Sequence, residues 1–175
     1  MTDRIDLPNK LAPFLDANAD TWQSILGVDA RALAAFGRIS ALTHGWLALQ
    51  REALADLGLN YAELSVLGML RVTEPEPRRS PTQLRRLIGQ SSAGMTRILD
   101  KLEAEGHLRR EDIDGDRRRV DIVLTESGAA LAERGVGALL AVESSVFAQL
   151  SPERGTAVVS ALDALLGAFA ARRPE

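Results

Sequence analysis

Residues 80–125 read SPTQLRRLIGQSSAGMTRILDKLEAEGHLRREDIDGDRRRVDIVLT, and the order of signals in this stretch decides the fold. Ser80-Pro81-Thr82-Gln83 is a helix start: Ser caps, Pro takes a position whose N–H is unpaired anyway, and Gln returns a bond from the third position. Leu84, Leu87 and Ile88 follow before Gly89, so this helix is short. After the turn at Gly89-Gln90 a second helix starts near Ser91 or Ser92 and runs to Gly106, with Met95, Ile98, Leu99 and Leu102 on one face. Two helices joined by a tight Gly-containing turn form a helix-turn-helix. The period then changes. His107–Glu111 and Val120–Leu124 flank a charged tip holding Gly115, the pattern of a two-stranded hairpin. A helix pair followed at once by a hairpin is a winged helix.

Working outward, Asn60-Tyr61-Ala62-Glu63 is a capping box ahead of Leu64, Leu67, Met69 and Leu70, and the prolines of Glu74-Pro75-Glu76-Pro77 stop that helix. From Asp29, a possible cap, Leu33, Phe36, Ile39, Leu42, Trp46, Leu49 and Ala53 mark a long buried stripe that Gly58 ends. Thr125-Glu126 and Ser151-Pro152-Glu153 cap two further helices with apolar stripes. Residues 1–28, broken by Pro8, Pro13, Asp16, Asn18 and Asp20, read as an N-terminal extension of short helical pieces docked on the dimerisation region. The expected class is mainly α: a single domain over 29–175, with a winged helix-turn-helix and two-stranded β-wing at 60–125 and helical dimerisation segments at 29–56 and 126–173.

Composition sets the outer limits. A chain of 175 residues buries about 70% of its unfolded surface, enough for one core without staples. It has no cysteine, which excludes disulfides, thiolate zinc sites, iron–sulfur clusters and thiol redox sensing. Met1–Asp6 lacks a basic head leading into an apolar run, and no 18-residue apolar stretch is free of charge, so a cytoplasmic protein without a membrane partner is expected. Net charge is −3, yet Glu76–Arg119 holds 11 basic and 8 acidic residues, leaving −6 for the remainder. One cationic surface on an acidic body suits a polyanion.

In a winged helix the second helix of the pair enters the major groove while the hairpin tip follows the backbone toward the minor groove. With the apolar face turned inward, Gln90, Ala93, Gly94, Arg97 and Lys101 turn outward. The Arg97 fork suits guanine, Gln90 suits adenine, and Ser91 or Ser92 at the helix N-terminus suits phosphate, with Gly94 allowing close approach. Arg117, Arg118 and Arg119 crowd three guanidinium groups on a narrow tip, a repulsion that a polyanion relieves.

These stretches resemble the MarR family of winged-helix bacterial transcriptional regulators over about residues 30–170. The carrying motifs are Ser80–Leu84, Ser91–Glu103, Gly106–Arg110 and the wing from Asp114-Gly115-Asp116-Arg117-Arg118 to Leu124-Thr125 and Gly128. The resemblance implies a homodimer built on N- and C-terminal helices, a pseudo-palindromic double-stranded DNA operator, and release by a small, often aromatic effector. It also implies that Asp116 positions Arg118 for the minor groove and that Ser91, Ser92, Thr96 and Arg97 make recognition-helix contacts. The N-terminal extension with Trp22 resembles the urate-responsive branch, but Ser65 stands where that branch's acid is expected. Trp22, His44, Trp46 and Met69 are the effector-pocket residues this reading nominates, against their use as packing.

No enzyme chemistry is expected. Gly135-Val136-Gly137 lacks the third glycine of a dinucleotide fingerprint, His44 and His107 have no metal-ligand spacing, Asp112, Asp114 and Asp116 run into arginines where a calcium loop needs acceptors, and no nucleophile motif occurs. No cofactor is implied. The alternative function is a winged-helix module that binds an acidic protein without reading DNA sequence.

Overall fold

A computed structural model describes residues 11–73, 77–113 and 116–172, with the backbone alone at 113 and 116–119. The chain divides into two units, Met1–Glu52 and Ala53–Glu175.

The first unit is built on two helices, α1 (Ala12–Leu26) and α2 (Arg31–Leu54), the latter running on into the second unit. In place of the short pieces expected over 1–28, α1 is one helix of 15 residues. Pro13 falls in its first turn, where no N–H is lost, and Asp16 and Asp20 sit on its exposed side. Pro8 lies outside the described residues. Gly27 closes the helix in the left-handed region at φ 67°. Asp29, expected as the cap, stands one residue ahead of the cap position of a helix that begins at Arg31, and its carboxylate accepts the Arg31 N–H at 3.0 Å. The buried seam is made of Ala19, Ala30 and Ala34 under Leu15. A Cβ at Gly37 would meet Leu15 Cδ2 at 2.5 Å, so the missing side chain lets α1 lie close. Arg38 of α2 fastens the pair by donating to Asp16 Oδ2 of α1 at 2.9 Å, and it is braced by the Ala34 carbonyl of its own helix at 3.1 Å.

In the second unit a 3-10 turn (Ala55–Leu57) ends at Gly58, φ 64°, and leads to α3 (Tyr61–Arg71). Next come β1 (Arg78–Arg79), α4 (Pro81–Ile88), α5 (Ser92–Ala104), β2 (Leu108–Ile113), β3 (Asp116–Leu124), α6 (Glu126–Phe147) and α7 (Pro152–Ala171). Each helix start was chemically legible. Asn60 and Ser80 make complete capping boxes with Glu63 and Gln83, and the Ser91, Thr125 and Ser151 hydroxyls accept backbone N–H groups three residues on.

The two-stranded wing is present as β2 and β3, and a third strand that the sequence did not suggest joins it, giving an antiparallel sheet in the order β1-β3-β2. Arg78 pairs with Val123 and Arg79 with Ile122, so the start of the helix-turn-helix is stitched to the base of the wing. Two residues are too few to show the alternation by which a strand is read. Between β2 and β3 the register runs from Leu108↔Leu124 to Asp112↔Val120 and then shifts to Ile113↔Asp116, leaving Arg117–Arg119 within the irregularity.

The core of this unit joins α3, α4, α5, the sheet and α6 through Leu67, Leu70, Leu84, Leu102 and Ile122, all nearly or fully buried. Met95, Ile98 and Leu99 complete the inner face of α5. α6 crosses α3 at Gly135, where a Cβ would meet Leu64 Cδ1 at 2.6 Å. α7 differs: Gly155 is its one buried position, and Val159, Leu162 and Leu166 lie exposed at the spacing of one helix face. By length and composition alone, with mean hydropathy 1.3, α7 is long and apolar enough to cross a membrane.

Candidate nucleic-acid interface

The N-terminus of α5 is held by short-range chemistry. Ser91 Oγ accepts the Gly94 N–H at 3.1 Å, and Thr96 Oγ1 donates to the Ser92 carbonyl at 3.0 Å. A Cβ on Gly94 would stand 3.1 Å from both Gln90 Oε1 and Ser91 Oγ, so the glycine makes room for the cap itself. Ser91, Ser92, Ala93, Thr96 and Arg97 are exposed, while Gln90 and Gly94 are half-buried. The surface offered to a partner is therefore the start of the helix with Arg97 one turn in.

The cations around it fall into two groups. Arg78 and Arg109 both reach the Glu111 carboxylate, at 3.7 and 2.6 Å, and Arg79 donates to Thr73 Oγ1 at 3.0 Å. Arg110 is held by Asp100 at 2.6 Å and by Glu103, whose carboxylate also accepts the Arg110 N–H at 3.1 Å. The hydrogen bond to Asp100, opposed in part by burial and aided by the field of Glu103, pushes the Arg110 pKa above its already high value. In contrast, Arg85, Arg86 and Arg97 have no acidic partner among the described residues. All three lie on the helix pair.

Lys101 departs from the outward role expected of it. Its ammonium donates to Glu63 Oε2 at 2.9 Å and to the Gly58 carbonyl at 3.0 Å, which turns it toward α3. Glu63 is nearly buried, and the same carboxylate oxygen accepts the Asn60 N–H at 2.9 Å. A carboxylate taken out of water needs a cation, and Lys101 supplies it. The helical wheel ranks Lys101 as remote from the apolar face, but it cannot show that a neighbouring helix carries a buried acid there. The available signal was Glu63 itself, a charged capping residue set directly beside Leu64 and Leu67.

The wing stem is anchored by the stretch Leu124-Thr125-x-x-Gly128. Thr125 Oγ1 donates to the Gly106 carbonyl at 2.9 Å and accepts the Gly128 N–H at 3.0 Å, while the Thr125 N–H meets the His107 carbonyl at 3.2 Å. A Cβ on Gly128 would lie 2.0 Å from that same carbonyl oxygen, so glycine is obligatory. The expected contributions of Asp116, Arg117, Arg118 and Arg119, and the tip at Asp114-Gly115, lie outside the described side chains.

Of the nominated pocket residues, Trp22, His44 and Trp46 belong to the first unit, where they are exposed, and Met69 packs half-buried against the core of the second. None lines either of two described cavities, one of about 550 Å³ among Arg71, Thr73, Leu124 and Glu126, the other of about 400 Å³ among Phe147, Leu150, Pro152 and Val159. Among the described residues no cluster of His, Asp and Glu is placed to hold a metal ion.

A helix pair whose second member presents a capped N-terminus and an exposed arginine, backed by a three-stranded sheet, defines a winged helix-turn-helix protein. The profile of the MarR family matches residues 57–119. The HTH-type transcriptional regulator PecS of Dickeya dadantii is 37% identical over 109 residues, 62% of this chain and 63% of PecS. The chain thus matches a little under two thirds of that relative's length. AbsC of Streptomyces coelicolor, a MarR family regulator, superposes with a TM-score of 0.68 at 22% identity, covering 79% of this chain and 93% of AbsC. BpsR of Bordetella bronchiseptica, whose DNA binding is regulated by 6-hydroxynicotinic acid, superposes with a TM-score of 0.62 at 24% identity over 73% of this chain and 89% of BpsR. These two likenesses concern the fold.

Proposed function

We propose that the protein is a dimeric, DNA-binding transcriptional regulator, a repressor that holds a pseudo-palindromic operator and lets it go when a small aromatic effector binds. The observation that carries this reading is the sorting of cations: the flanking Arg78, Arg109 and Arg110 are paired with acids, and Arg85, Arg86 and Arg97 on the helix pair have no acidic partner among the described residues. Phosphates and guanine edges are the partners such groups lack. In this reading Arg97, with Gln90, Ser92 and Thr96, faces the major groove. Ser91 fixes the cap and brings its backbone to phosphate. Arg118, oriented by Asp116 and flanked by Arg117 and Arg119, enters the minor groove.

The exposed row Val159, Leu162 and Leu166 on α7 supports self-association, because a contiguous apolar face in water seeks cover. The operator-bound protein works in the cytoplasm. The effector reading is supported by the likeness to BpsR.

The test is a salt titration of binding to a duplex selected by the protein from a random pool. Arg118→Ala should weaken binding to every sequence and flatten the log K against log salt slope by about 0.9 for the phosphate it releases. Arg97→Ala should in addition relax base preference, costing about 1–3 kcal/mol on the selected duplex. Variants that match the parent throughout would overturn the contacts. A thermal-shift series with 6-hydroxynicotinic and related aromatic acids, with and without that duplex, tests release.

A further inference from the structure

We propose that Lys101 and Glu63 form a positioning pair that sets the rotation of α5, so that Lys101 serves DNA recognition by orienting the helix and touches no phosphate. The inference rests on the DNA-binding reading above. Lys101 lies four residues after Arg97, on the same stripe of α5, so whatever fixes one fixes the direction of the other. Its ammonium is bonded at 2.9 Å to a Glu63 side chain with 7% exposure and at 3.0 Å to the Gly58 carbonyl. On the other flank Asp100 and Glu103 are bonded to Arg110 of β2. Three of the four residues from Asp100 to Glu103 are thus tied by charge to a neighbouring element, and the fourth, Leu102, is fully buried. Rotation of α5 about its axis would break a charge-assisted bond on one side or the other.

The geometry assigns Lys101 a role distinct from that of a surface cation. A phosphate contact would act through counterion release and would weaken binding to any duplex alike. A positioning residue acts through the register of Arg97, and its loss falls on the selected sequence. The experiment compares the parent, Lys101→Met, Lys101→Arg, Glu63→Gln and the double variant Glu63→Gln with Lys101→Met on two probes. One is a duplex selected by the parent from a random pool; the other is poly(dI-dC). The double variant keeps the shape of the pair without an uncompensated buried charge, which guards against simple unfolding.

Lys101→Met should lose about tenfold on the selected duplex, the value of about one base contact, with its salt slope and its binding to poly(dI-dC) unchanged. Glu63→Gln should lose a similar factor, the double variant no more than either single change, and Lys101→Arg should recover most of the parent's preference. If Lys101→Met flattens the slope by about 0.9 and weakens both probes while Glu63→Gln does nothing, Lys101 is a phosphate contact and the inference is wrong. Unchanged binding by Lys101→Met and by the double variant would also overturn it. A parent that binds neither probe at low salt overturns the DNA-binding reading and this inference with it.

Discussion

Gly128 lies where a side chain would enter the His107 carbonyl oxygen at 2.0 Å, and the obstacle is backbone that cannot swing aside. Gly128→Ala should therefore destabilise the fold by about 3 kcal/mol, read as a lower urea midpoint with unchanged slope. At Asp29, hydrogen bonds from the Arg31 side chain and backbone hold the carboxyl at about 2, below its ordinary 3.8. A depressed folded-state value means that the bond favours the folded form above pH about 4 and that this favour fades as pH falls toward 2. The pair is exposed and its share of stability is small, so the check is direct: the Asp29 carboxyl should titrate by NMR near 2 in the parent and higher in Arg31→Ala, which loses the side-chain bonds and keeps the backbone N–H. A midpoint near 3.8 in the parent would remove the pair.

Elements are where local chemistry was most and least readable. Asn60, Ser80, Ser91, Thr125 and Ser151 could be named as caps because a cap is satisfied within three residues. The inner face of α5 was legible for the same kind of reason, since Met95, Ile98, Leu99 and Leu102 repeat at the helical period. β1 was hidden because Arg78 and Arg79 become a strand by pairing with Val123 and Ile122, more than 40 residues away. The orientation of Lys101 was hidden likewise, depending on a carboxylate 38 residues earlier. Thr125→Ala, which removes the α6 cap and the bond to Gly106, should cost about 1 kcal/mol. Leu102→Ala, emptying a fully buried site between α5 and its neighbours, should cost about 2–5 kcal/mol. Denaturation curves for both would show whether α5 is seated as described, the larger loss belonging to Leu102.

For the whole molecule, the proposed assembly is two copies joined by terminal helices, each presenting its helix pair to the same duplex, and the exposed apolar row on α7 supports it. Leu166→Asp should yield a monomer by light scattering at micromolar concentration and should weaken DNA binding by removing the second half-site. A variant still dimeric would place the interface elsewhere. The most direct measurement is selection of duplexes from a random pool by the full chain, followed by sequencing. The expected outcome is an enriched inverted repeat whose half-sites lie about 10 base pairs apart, one helical turn, matching a twofold protein. A pool that shows no enriched sequence would contradict it and favour a winged helix that binds protein instead.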